Sequence, residues 1–209
     1  MINCDSVLFD LDGTLWDTTA ALAEIWQRAL KDEPDIARTI TREDMAGVMG
    51  MTSTQLMHTL FPGLPEKKSA ELFDRLCVIE DEYLRVHGGI LYDGLEEALR
   101  ELSSKVPLAI ISNCGPEYIP TFFQAHGLGK YFTDWECIGR TGLPKGGNIR
   151  LVAERNNFKA PVYVGDTIMD CEAAGQAGVP FIFAAYGFGK VEGFPEIGSP
   201  GELRGLLGL

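Results

Sequence analysis

The stretch Val7-Leu8-Phe9-Asp10-Leu11-Asp12-Gly13-Thr14-Leu15 sets two carboxylates directly after a short apolar run. Cys4 to Phe9 has the length and the β-branched and aromatic content of a buried strand, so Asp10 stands where the chain leaves a sheet. In extended backbone, residues i and i+2 point to the same side, which turns Asp10 and Asp12 toward one common space. Two carboxylates held that close repel, so either one keeps its proton or a cation lies between them. Gly13 lets the backbone turn tightly, and the N–H groups beside it can form an anion-binding concavity. An ordinary strand-ending turn also uses Asp and Gly, so the residues further along decide between the two readings.

Outward from this stretch the chain is first helical. Leu22, Ile25, Trp26, Ala29 and Leu30 fall at helical spacing behind Asp17 or Thr18 as N-cap. Thr41-Arg42-Glu43-Asp44 reads as a capped start, and Ser53 to Leu60 carries a short helical pattern stopped by Phe61-Pro62-Gly63. Pro65 opens a longer helix whose apolar face is Leu72, Phe73, Leu76, Cys77, Ile79, Tyr83 and Leu84, closed by Gly88-Gly89. After Tyr92-Asp93-Gly94 the texture changes to strands alternating with helices. Strands are expected at Pro107 to Ile111, Trp135 to Ile138, Val162 to Val164 and Phe181 to Ala184. Helices are expected over Leu95 to Leu102, Pro116 to His126, Gly147 to Asn156 and Cys171 to Ala177. This alternation predicts an α/β parallel sheet with right-handed crossovers. Ser199-Pro200-Gly201-Glu202 predicts a capping box and a proline start for a closing helix. The predicted organisation is a core of residues 1–15 and 92–209, with a helical unit of residues 16–91 inserted after the first strand and placed to act as a lid.

Composition narrows the function classes. The 209 residues, 45% of them hydrophobic, suit one sizeable core with a smaller satellite. A net charge of −12 argues against nucleic acid and against an anionic membrane as partners. No run approaches about 18 apolar residues, and Met1-Ile2-Asn3-Cys4-Asp5 lacks the regions of a signal peptide, which predicts a cytoplasmic protein. The five cysteines, Cys4, Cys77, Cys114, Cys137 and Cys171, are widely spaced and read as reduced, small hydrophobes.

In an open parallel sheet, ligands sit beyond the carboxyl ends of the strands. That rule gathers Asp10 and Asp12 with Ser112-Asn113 after the next core strand and Gly165-Asp166-Thr167, followed by Asp170, after a third. Lys145 lies at a loop-to-helix junction nearby. Several carboxylates in one cleft require a neutralising cation, and an all-oxygen ligand set without His or Cys suits Mg²⁺. Beside such an ion one carboxylate can attack phosphorus, while a second, kept protonated, donates to the leaving oxygen and later activates water. Lys145 and the Ser112 hydroxyl would balance charge on the phosphoryl oxygens.

Asp10-Leu11-Asp12-Gly13-Thr14-Leu15 resembles the first motif of the haloacid dehalogenase superfamily, and the later motifs follow in the family's order along nearly the whole chain. The resemblance implies an α/β fold with a Rossmann-like parallel-sheet core and a small all-helical cap domain inserted after the first motif. It implies a Mg²⁺-dependent phosphatase similar to phosphoglycolate phosphatases, acting on a small phosphorylated metabolite through an aspartyl-phosphate. Carried over residue by residue, Asp10 matches the nucleophile and Asp12 the general acid/base. Ser112, with Asn113 beside it, and Lys145 match the phosphate site. Asp10, Asp12 through its backbone carbonyl, Asp166 and Asp170 match the metal site. Trp16 and Asp17 depart from the small or aliphatic residues usual after the motif, and Cys114 departs beside the phosphate site; Trp16 is expected to pack at the hinge and Cys114 to be an inert thiol. His58, His87 and His126 are expected to be surface or capping residues. Two alternatives remain: a β-phosphoglucomutase-type sugar-phosphate mutase, whose members usually carry Glu-Asp where this chain has Gly165-Asp166, and a non-enzymatic module phosphorylated on Asp10. Nothing in the sequence speaks to oligomeric state.

Overall fold

A computed structural model describes residues 2–33 and 36–209. Strand β1 (Ser6–Phe9) is buried along its whole length, which suits a run with no charged residue. Its neighbours are β4 (Leu108–Ser112) and β6 (Pro161–Gly165), both parallel, with Val7 opposite Leu108 on one side and Val162 on the other. Adding β5 (Asp134–Cys137), β7 (Phe181–Ala184) and β8 (Glu196–Ile197) gives a six-stranded sheet of order β5-β4-β1-β6-β7-β8 in which every pairing is parallel.

Side-chain alternation along β1 supplies both faces of the sheet. Val7 and Phe9 join a large apolar cluster with α5 (Leu95–Ser103), α6 (Tyr118–His126) and α10 (Leu203–Leu207). Leu8 joins a second cluster with Ile149 and Val152 of α8 (Lys145–Arg155) and Ala173 and Ala174 of α9 (Ile168–Ala177). The chain therefore has helices on both faces of a parallel sheet, the α/β architecture expected.

Between β1 and α5 the chain runs through β2 (Trp16–Asp17), then α1 (Thr19–Ala29), α2 (Arg42–Ala46), α3 (Ser53–Leu60) and α4 (Glu66–His87), and returns by β3 (Ile90–Leu91). The two-residue strands β2 and β3 pair antiparallel, Trp16 opposite Leu91 and Asp17 opposite Ile90. The expected capped start is present: Thr41 and Asp44 form a reciprocal capping box at α2, and Thr52 and Gln55 form another at α3. At α1 the capping is displaced by one residue. Asp17 Oδ1 accepts from the Thr19 N–H at 2.8 Å and its hydroxyl at 2.6 Å, which leaves the Thr18 hydroxyl free for another partner. Helix α4 packs against α1, α3 and α6.

Some expectations are corrected. Ile79 does not join the buried face of α4; it is 40% exposed, whereas Leu72, Leu76 and Leu84 are buried. The third core strand starts at Asp134, and Ile138 instead opens the short helix α7 (Ile138–Thr141). The closing segment begins as a 3-10 turn at Pro200–Glu202, where the Glu202 carboxylate accepts from the Gly198 N–H rather than from that of Ser199. No helix of the described residues is long and apolar enough to cross a membrane.

Candidate active site

Strands β4, β1 and β6 are neighbours, so the loops at their carboxyl ends open onto one place. Asp10 follows β1 directly, and its N–H is fixed by the Val164 carbonyl of β6 at 2.8 Å. The turn after it is tight: the Leu11 carbonyl accepts from the N–H groups of Thr14, Leu15 and Trp16. Gly13 adopts φ +81°, and a Cβ there would lie 2.1 Å from Asp166 Oδ2, so two loops touch where only glycine fits.

Below this turn, Lys145 at the first residue of α8 places its Nζ 2.9 Å from Asp10 Oδ1 and 2.6 Å from Asp170 Oδ1, with all three side chains almost fully buried. Asp170 is the third residue of α9. Its Oδ2 accepts from the Thr167 N–H at 3.0 Å and the Thr167 hydroxyl at 2.6 Å, closing a capping box that orients the carboxylate. Asp166 follows β6; its Oδ2 accepts from the Phe188 N–H at 2.7 Å, while its Oδ1 is buried without a hydrogen-bond partner. Asp10, Asp166 and Asp170 each present a carboxylate oxygen within 4.8 Å of the others. An orphaned buried oxygen in an all-carboxylate trio is the donor set that a hard divalent cation fits.

Asp12 stands apart from the trio. Its Oδ1 accepts from the Thr18 hydroxyl at 3.0 Å and the Tyr118 hydroxyl at 3.1 Å, and among the described residues no lysine or arginine forms an ion pair with it. Ser112 ends β4 and is buried; Asn113 donates from Nδ2 to the Gly50 carbonyl of the α2–α3 loop at 2.9 Å and has a buried, unpartnered Oδ1. A cavity of about 90 Å³ opens over Asp10, Asp12, Ser112 and Asn113, and is roofed by α1, α3, α4 and the α2–α3 loop.

Burial dominates the electrostatics. It raises Asp10 to about 7, helped by the charge of Asp170 and opposed by Lys145. It raises Asp166 to about 8, with Asp170 and Asp10 adding to the effect. It raises Asp12 to about 6 against the hydrogen bonds from Thr18 and Tyr118. Burial alone would lower Lys145, but Asp10 and Asp170 hold it well above the ordinary lysine range. Near neutral pH the cleft thus contains carboxyl groups able to hold or release a proton.

All seven residues singled out in the sequence lie at these loops, Asp10, Lys145, Asp166 and Asp170 in one cluster and Asp12, Ser112 and Asn113 on the cavity floor. Thr18, Tyr118, Thr167 and the Phe188 N–H, which orient the carboxylates, were not anticipated. A hydroxyl or backbone donor far off in the chain has no spacing signature; only the capping pattern Thr167-x-x-Asp170 was available to be read. Trp16 is fully buried, edge-on to Tyr118, Phe122 and His126. His126 is accordingly not a plain surface residue, and burial lowers its pKa. Burial and neighbouring Cys137 push the Cys114 thiol well up, the behaviour of an inert thiol.

The chain matches the haloacid dehalogenase-like hydrolase family over residues 7–184. It is 29% identical over 215 residues to the phosphoglycolate phosphatase of Rhodobacter capsulatus, covering 98% of this chain and 95% of that protein. A haloacid dehalogenase-like family hydrolase from Streptococcus pneumoniae superposes with a TM-score of 0.84 at 18% identity, covering 97% of this chain and 98% of the other. The HAD-hydrolase YfnB from Bacillus subtilis, solved bound to magnesium, superposes with a TM-score of 0.75 at 22% identity over 99% of this chain and all of the other. With the family match spanning β1 through β7 and the same architecture in those structures, the chain belongs to the haloacid dehalogenase-like hydrolases.

Proposed function

We propose that this hydrolase is a phosphatase that cleaves a small phosphorylated metabolite through a phosphoryl group carried on Asp10. The observation that carries the reading is the contrast between two neighbouring carboxyls in one cavity: Asp10 is charge-paired with buried Lys145, and Asp12 accepts hydrogen bonds from the uncharged hydroxyls of Thr18 and Tyr118. The Asp10 oxygen attacks phosphorus as the ester bond breaks, and the departing oxygen takes the proton of Asp12. A water that gives its proton back to Asp12 then attacks the acyl phosphate, releasing phosphate and restoring Asp10. Lys145 and the Ser112 hydroxyl balance charge on the phosphoryl oxygens.

Asp10, Asp166, Asp170 and the backbone carbonyl of Asp12 would hold Mg²⁺, which when bound offsets charge on the transferring group. Residues 16–91 serve as a cap over residues 1–15 and 92–209, and its closure keeps bulk water from the cleft. The Asn113 amide bound to the Gly50 carbonyl supports such closure, since it ties the phosphate-site loop to the roof. Five free cysteines suit a reducing compartment such as the cytoplasm.

The test is a pair of variants assayed with Mg²⁺ on acetyl phosphate. Asp10→Asn should reduce turnover to background and yield no borohydride-trapped adduct at position 10. Asp12→Asn should slow turnover by about 10²–10⁴-fold while the adduct still forms. An adduct at full yield in Asp10→Asn would remove the proposal.

A further inference from the structure

The chemistry at the cavity floor leaves the walls above it unexplained. Leu22, Trp26, Met45, Met49, Met51 and Phe73 make them apolar. The wall side chains of charged type are both acids, Glu80 and Asp81 on α4, and no lysine or arginine lines the cavity. Lys145 beneath is engaged by Asp10 and Asp170, and it does not face the walls. Glu80 is buried and accepts a hydrogen bond from the Trp26 indole N–H. Asp81 turns toward the Thr121 hydroxyl, 3.5 Å away.

A phosphoester whose organic part ends in a carboxylate would bring a second negative charge among apolar walls, with no lysine or arginine among the described lining residues to meet it. Such a group is strongly disfavoured once desolvated and unpaired. A cationic organic part fares little better, because both wall acids are turned to partners of their own, Glu80 to the Trp26 indole N–H and Asp81 to the Thr121 hydroxyl. Size narrows the choice further: about 90 Å³ is less than the roughly 150 Å³ that accommodates benzene. Resting on the phosphatase reading, we propose that the substrate's organic part is a small, uncharged, apolar group, and that the cavity selects against carboxylate-bearing phosphoesters, phosphoglycolate included.

The experiment compares kcat/KM with Mg²⁺ for n-propyl phosphate, 2-phosphoglycolate and O-phosphoethanolamine, which are similar in size and differ in charge. Propyl phosphate should lead both others by at least about tenfold, mostly through KM. Phosphoglycolate equal to or better than propyl phosphate overturns the proposal, and so does a lead for phosphoethanolamine. Met51→Lys, at a half-buried wall position, should raise kcat/KM for phosphoglycolate and narrow the gap; an unchanged ratio would mean that the organic part does not reach the roof, and the proposal falls. If none of these esters is hydrolysed, nor acetyl phosphate, the phosphatase reading fails on its own. The cavity's preference is then read by calorimetry with propylphosphonate against phosphonoacetate: tighter binding of the first upholds it, and tighter binding of the second overturns it.

Discussion

Tyr118 is the residue on which the behaviour of Asp12 turns. Its hydroxyl donates to the Asp12 carboxylate, and that bond, like the one from Thr18, pulls the Asp12 pKa down against burial. Tyr118→Phe deletes the donor and leaves the ring against Trp16. The pKa of Asp12 should then rise from about 6, and the acid limb of the kcat–pH profile should move to higher pH, because Asp12 must be unprotonated to activate water. A profile unmoved by the substitution would take Asp12 out of that role. Asp10, Asp12 and Asp166 were legible because carboxylates just past buried strands have few structural reasons to be there; Ser112 and Asn113 followed from ending the neighbouring strand, and Lys145 and Asp170 from the order of the motifs. Tyr118 was not: a tyrosine at helical spacing packs equally well whether or not its hydroxyl has a target, and here the ring is buried with its oxygen on the cleft.

Among the elements, α4 borders the cavity with Glu80. Its carboxyl titrates at about 8 rather than the ordinary 4.5 because it is buried. The folded chain thus binds a proton that the unfolded chain releases, so this group's contribution to stability is complete below about 4.5 and is lost as pH rises through about 8. Glu80→Gln removes that titration. Urea unfolding at pH 6 and pH 9 should show the parent losing on the order of 2 kcal/mol more than the variant across that interval. Equal losses would contradict the shifted titration. Helices of this kind were readable where periodicity meets a clear stop, as at Ser53–Leu60 before Phe61-Pro62-Gly63, which the structure reproduces end to end. The strands β2, β3 and β8 were not, since two residues are too few to show any period. Ser199-Pro200-Gly201-Glu202 misled for a local reason: the chain bends so that Glu202 meets the N–H of Gly198 first.

For the whole molecule, the order of the sheet does most to assemble the site. With β1 between β4 and β6, segments separated by about a hundred residues along the chain end side by side; the alternation of strands and helices put these ends on one edge of the sheet, while their order has no signature in the sequence. The unpartnered Asp166 Oδ1 in the buried trio is where bound cation and global stability should be linked. Mg²⁺ at 100 times its dissociation constant should stabilise the fold by about 2.7 kcal/mol, seen as a rise in Tm. Asp166→Asn should abolish most of that rise; a Tm that climbs equally in the variant would place the ion elsewhere.

The paired strands β2 and β3 form the ribbon through which the chain leaves for the helices over the cleft and comes back. Entry and exit lie opposite one another, Trp16 beside Leu91, so the intervening segment resembles an exchangeable cassette with both ends at one socket. A foreign helical hairpin pair grafted between these positions would meet the same two anchor points and leave the carboxylate trio undisturbed. A replacement between these two anchors would therefore alter the walls over the cleft, while Asp10, Asp166 and Asp170 stay with strands and helices that lie outside it.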